Sequence, residues 1–139
     1  MPQAPTTIEL LNHLLVQQAL EQAWIDSQSA DPAYRHEEGG WIYMDTTTGA
    51  ITQRRAPAGA RAVLDLLTPI LVPGCVVVAT FHTHPNPAAE GWDPGPSPGD
   101  VQSAWILGVP CLIRAEDGIH TTGPNSRRGG LAGGPGYPA

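Results

Sequence analysis

The stretch from Cys75 to Pro85, CVVVATFHTHP, constrains this chain more than any other. Its first seven residues are apolar or β-branched, and too few for most helices. They read as a strand buried on both faces, the kind that sits inside a sheet. Pro85 stops it, because proline cannot donate to a strand ladder. Side chains alternate along a strand, so His82 and His84 share one face and Thr83 takes the other. Two imidazoles side by side at the end of a central strand can bite one metal ion. A lone His-x-His is a weak signal, and the rest of the chain has to supply the other parts of a site.

The flanking sequence places that strand in a mixed α/β domain. Residues from about Thr6 to Ser27 predict one helix, with Ile8, Leu11, Leu15, Ala19 and Trp24 as its apolar stripe. Thr6 or Thr7 serves as its N-cap, with Glu9 close behind, and His13 lies within it. WIYM and AITQRR flank the turn DTTTG and predict a hairpin with Gly49 at the turn's exit. ARAVLDLLTPIL predicts a second helix with Val63, Leu66, Leu67 and Ile70 on one face, weakened by Pro69. Ser97 and Pro98 open a third helix, with Asp100 where a capping box places its acid. VPCLIRA and IHTTG predict two further strands. The expected architecture is a small mixed sheet flanked by helices. One domain spans 1–122, and the Gly/Pro-rich end, 123–139, reads as a flexible tail.

Composition excludes several functions. With 139 residues, a formal net charge of −6 and seven Lys and Arg in all, nothing resembles a basic footprint for nucleic acid. No apolar run reaches membrane-spanning length and no signal peptide is visible, which predicts a soluble cytoplasmic protein. Cys75 and Cys111 stand beside apolar runs with no CxxC, so both read as small buried thiols.

A zinc site needs a third protein ligand, and a catalytic one keeps a position open for water. Asp100 is the candidate ligand, since its helix must start near the strand's end. An acid in a first helical turn is also favoured by the macrodipole alone. Hydrolysis needs a base as well. Glu37 and Glu38 stand before two glycines that permit close backbone approach, and either is a candidate. On a strand they face opposite sides, so only one can point at a metal. His36 and His120 read as loop and strand residues rather than ligands.

Taken in order, HEEGGWIY, HTHP and SPGD resemble the signature of the JAMM (MPN+, JAB-like) metallopeptidases: Glu, then His-x-His-Pro, then Ser-x-x-Asp. The resemblance spans roughly Glu37 to His120 and is nearest to compact bacterial JAB-like domains. It implies the JAB/MPN (cytidine-deaminase-like) fold, with one zinc held by His82, His84 and Asp100. It implies a glutamate as general acid/base and Ser97 as a donor to the oxyanion. The family places its glutamate three residues before a glycine. Counting back from Gly40 selects Glu37, with Glu38 as the alternative. The implied activity is hydrolysis of a peptide or isopeptide bond in a protein or peptide substrate, ubiquitin-like proteins among them.

Two features depart from the family pattern. Eleven residues, Asn86 to Pro96, separate HTHP from Ser97, a longer stretch than usual. They include Trp92, a candidate substrate contact. The chain also lacks the insertions with which eukaryotic members grip ubiquitin. The end of the chain carries RRGGLAGG, similar to the Gly-Gly ends such peptidases cleave, which raises a self-substrate or inhibitory tail. The competing readings are a non-catalytic MPN-type assembly module and a toxin or defence-system JAB domain. A deaminase would need CxxC, and a metal-dependent amidohydrolase barrel about 250 residues.

Overall fold

The computed structural model describes residues 2–125. Most of the expected tail, with its RRGGLAGG stretch, lies outside the described residues. Within it Asn125 is tied down, its side-chain oxygen accepting the Thr7 N–H at 2.6 Å. Elements run α1 (Thr7–Leu11), α2 (Leu14–Asp26), β1 (Gly39–Asp45), β2 (Ile51–Arg55), β3 (Cys75–His84), α3 (Pro98–Leu107), β4 (Cys111–Ala115) and β5 (Gly118–Thr122). A single 3-10 turn, Ala88–Glu90, lies between β3 and α3. The strands form one sheet in the order β2-β1-β3-β4-β5. Only β3 and β4 pair in parallel, and α3 lies in the connection between them. The described residues therefore form a mixed α/β fold, with a five-stranded mixed sheet and three α-helices. Among the described residues no helix is long and apolar enough to cross a membrane.

The predicted hairpin forms as β1 and β2, pairing Trp41 with Arg54 and Met44 with Ile51. The predicted first helix is two helices. Thr6 caps α1 through a reciprocal box with Glu9, but Asn12 closes it by donating from its side chain to the Ile8 carbonyl at 3.0 Å. His13 then caps α2, its Nδ1 accepting the Leu15 N–H at 3.2 Å. Asn and His are weak helix formers whose side chains compete for nearby backbone groups. The break rotates the buried face: Leu10, Val16, Ala19, Leu20 and Ala23 are buried, and Ile8 is 72% exposed.

The predicted helix over ARAVLDLLTPIL is absent. This segment is an irregular strap whose carbonyls serve β1. Trp41 donates through Nε1 to the Leu66 carbonyl at 2.9 Å, and the Tyr43 hydroxyl donates to that of Ile70 at 2.6 Å. The Asp65 side chain takes the Leu67 N–H. Pro69 lacks an N–H and restricts Thr68 to extended backbone. Leu66 is buried against Trp41 and Tyr43, while Val63, Leu67 and Ile70 are exposed.

The sheet has two unlike faces. Ile42, Met44, Val78, Ala79, Phe81 and Leu112 pack against α1 and α2. A register shift between Ile42 and Tyr43 puts Cys75 and Val77 on the other face, under the strap with Trp41 and Tyr43. Thr80, His82 and His84, which alternate with Ala79, Phe81 and Thr83, fall on that second face too, toward α3. Cys111 is 3% exposed as expected, but Cys75 is only half-buried, and both are free thiols.

Candidate metal centre

β3 brings His82 and His84 to one face, as their spacing requires. Both Nε2 atoms point to the same spot, 3.1 Å apart. β1 enters from the other side. Gly39 pairs with His82, and the backbones approach so closely that a Cβ on Gly39 would lie 2.1 Å from the Phe81 carbonyl oxygen. Gly40 is equally confined, with the Arg54 carbonyl oxygen 1.9 Å from its would-be Cβ. These glycines are required by space, not by a left-handed backbone.

The register of β1 separates the two glutamates. Glu38 falls opposite Thr83: the Thr83 N–H donates to the Glu38 carbonyl at 2.9 Å, and the Glu38 N–H to the Thr83 hydroxyl at 3.1 Å. Its side chain points away from the histidines, pairing with Arg55 at 2.6 Å and His36 at 2.5 Å. Arg55 also holds Asp26 at 2.8 Å. Glu37, one residue earlier, lies on the histidine face. The strap fixes its backbone, the Glu37 N–H donating to the Ala60 carbonyl and the Gly59 N–H to that of Glu37.

Asp100 arrives on the first turn of α3. Ser97 and Asp100 form the expected capping box, with Asp100 N–H donating to the Ser97 hydroxyl at 3.1 Å and Ser97 N–H to Asp100 Oδ2 at 2.9 Å. That box aims the carboxylate at both imidazoles: Oδ1 lies 3.2 Å from His82 Nε2 and Oδ2 3.1 Å from His84 Nε2. Ligands about 2.0–2.1 Å from a tetrahedral ion stand roughly 3.3 Å from one another. The 3.1 Å between the two imidazole nitrogens is close to that spacing, and a different Asp100 oxygen faces each of them. Glu37, His82 and His84 also offer ligand atoms all within 4.8 Å of one another, a group that could hold a metal ion. Two carboxylates, Glu37 and Asp100, thus share the same histidines.

The outer nitrogens have partners as well. His84 Nδ1 lies 3.3 Å from the Pro94 carbonyl, an acceptor only, which places a proton on Nδ1 and leaves Nε2 as the nitrogen facing Asp100. His82 Nδ1 lies 3.5 Å from Cys111 Sγ. Sequence reading saw Cys111 as a buried thiol and no more. The signal is nonlocal, since Cys111 pairs with Thr80, two residues before His82 on the same face.

Charge is distributed unevenly in the cluster. Burial pushes the Asp100 carboxyl up, but its hydrogen bonds to His82 and His84 outweigh that and hold it well below the usual carboxylate range. Burial also dominates at Glu37. The two histidines only partly offset it, and Asp100 adds to it, so its pKa rises to about 7. Burial disfavours charge on His82, but Cys111 and Asp100 together raise it well above its ordinary value.

A cleft of about 260 Å³ opens beside the cluster, lined by Glu37, His84, Trp92, Ser97 and Asp100 among others. Trp92 is 40% exposed on its rim. The loop from Asn86 to Pro96 that carries it is anchored at several points. Asn86 Nδ2 donates to the Arg61 carbonyl, Ala88 N–H to the Glu116 carboxylate, and Arg35 to Glu90. His120 pairs with Asp117 at 2.7 Å and His36 with Glu38, so neither joins the cluster. No protein-family model matches this sequence, and neither a curated protein nor a solved structure matches the chain.

Proposed function

We propose that the chain is a JAMM-type zinc metallopeptidase, built on the JAB/MPN fold and cytoplasmic. It would hydrolyse a peptide or isopeptide bond in a protein or peptide substrate, with ubiquitin-like proteins in that class. One observation carries the reading: the Asp100 carboxylate reaches both histidine Nε2 atoms at 3.1–3.2 Å while Glu37 lies buried on the same face. A structural capping acid has no need of two imidazoles, and a solvated glutamate has no need of burial.

His82, His84 and Asp100 would hold the zinc, with the Asp100 carboxylate 3.1–3.2 Å from both imidazoles, leaving Glu37 unligated. When bound at such a site, zinc acidifies a water and polarises a carbonyl. Glu37 is suited to the proton work. A carboxyl with a pKa near 7 takes a proton from the attacking water and returns it to the leaving nitrogen at neutral pH. Ser97 accepts the Asp100 N–H, which leaves its own O–H to donate to the oxyanion. Trp92, on the rim, would contact the substrate.

Metal analysis of purified variants tests this. Wild type should carry one zinc per chain. His82→Ala and Asp100→Ala should lose it. Glu37→Ala should keep it and lose hydrolysis of peptide and ubiquitin-like fusions by about 10²–10⁴-fold. Full zinc in either ligand variant would overturn the site.

A further inference from the structure

We infer that Cys111 is a positioning residue for His82, its sulfur accepting the Nδ1–H so that Nε2 faces Asp100 and His84. The inference rests on His82 being a metal ligand. A ligating imidazole needs a bare Nε2, so its proton must sit on Nδ1 and go to an acceptor. His84 solves this with a carbonyl, that of Pro94. His82 has Cys111 Sγ at 3.5 Å, a distance that suits the large sulfur atom. The sulfur is well fixed for the task. Cys111 is 3% exposed, packed with Ala104 of α3 and Ile113, and locked by parallel pairing to Thr80. A thiol can also donate, so the direction of this contact decides whether His82 can ligate. A proton on Nε2 would stand between two nitrogens and a carboxylate at 3.1–3.2 Å, where a cation would otherwise fit.

The surroundings suggest the informative substitutions. A cavity of about 20 Å³ adjoins Cys111, lined by Thr80, His82, Asp100, Ser103 and Leu107 among others. Truncation to alanine would enlarge it and admit a water that accepts the Nδ1–H in place of sulfur. Valine fills the space and accepts nothing.

The full chain and its variants are loaded with zinc and titrated against a chelator of known affinity. The tautomer of His82 is read from the ¹⁵N shifts of its ring in the zinc-free protein, at a pH high enough to leave that ring neutral. Cys111→Val should weaken zinc binding about 10-fold and shift His82 away from the Nδ1–H form. Cys111→Ser, which keeps an acceptor, should restore most of both. Wild-type affinity and tautomer in Cys111→Val would overturn the proposal. If the valine variant fails to fold, the wild type decides by itself: a neutral His82 ring protonated on Nε2 rather than Nδ1 in the zinc-free protein overturns it. Full zinc in His82→Ala would instead defeat the metal reading. Loss of zinc there, with no change in the Cys111 variants, defeats only the positioning role.

Discussion

The two faces of the sheet do different work. On one, Ile42, Met44, Val78, Phe81 and Leu112 meet Leu10, Val16 and Leu20 from the helices, each at most 1% exposed. On the other, Trp41 and Tyr43 are covered by a strap with no regular structure, and beyond them lie Thr80, His82, His84 and Glu37. The first face buries carbon against carbon, where one contact does not depend on a particular partner. The second buries polar groups, each of which needs its own partner to offset lost hydration. The apolar core and the candidate site are thus separated across a single sheet, and the strand that carries the histidines is shared by both. Phe81, between Thr80 and His82, fixes β3 on one face while the imidazoles project from the other.

Core truncations test this contrast most severely. Phe81→Ala removes a fully buried ring and should cost about 3–5 kcal/mol in denaturant unfolding. Leu66→Ala, in the strap itself, should cost at the low end of about 2–5 kcal/mol, because irregular backbone can close part of the space. Equal losses at the two sites would mean that the strap is as tightly packed as the helical face.

A pH titration measures the strain that the second face carries. The raised pKa of Glu37 means that the folded chain holds its proton more tightly than the unfolded chain does. In chelator-treated protein, wild type should therefore lose stability relative to Glu37→Gln as pH rises from about 4.5 to about 7, by about 3 kcal/mol. Parallel stability curves for the two proteins would show that burial of this carboxyl is not costly.

The smallest effect concerns the cap. Ser97→Ala should cost about 1 kcal/mol of stability through the lost N-cap bond. It should also weaken zinc binding, because the same box aims Asp100. An unchanged zinc affinity would mean that the backbone alone sets that carboxylate.

Much of the site was legible because its geometry is local. Strand alternation set His82 beside His84, and the capping box at Ser97 and Asp100 follows from a four-residue spacing. The third helix and the hairpin followed from patterns of the same range. Local rules failed where distant groups competed for the backbone. The segment from Ala60 to Leu71 has helical spacing, but Trp41 and Tyr43 take its carbonyls, and Pro69 removes a donor. The first helix broke at Asn12 and His13 because side-chain caps there outcompete the continued helix. Glu37 and Glu38 were equivalent as neighbouring acids until the pairing of β1 with β3 gave them opposite faces.

The sequence by itself determined a buried strand ending in two same-facing histidines, a capped acid on the next helix, and two glycines behind two glutamates. Those are consequences of backbone periodicity and of caps closed within a few residues. Only the tertiary structure decided that Asp100 reaches both imidazoles, that Glu38 is spent on Arg55 and His36, and that Cys111 stands behind His82. Each of these depends on register between strands or on the docking of α3. His36 aside, such contacts join residues from 16 to 45 positions apart, as Asp100 joins His84 and Glu38 joins Thr83. No local periodicity encodes them, because the free energy that selects them is shared over the whole packed sheet.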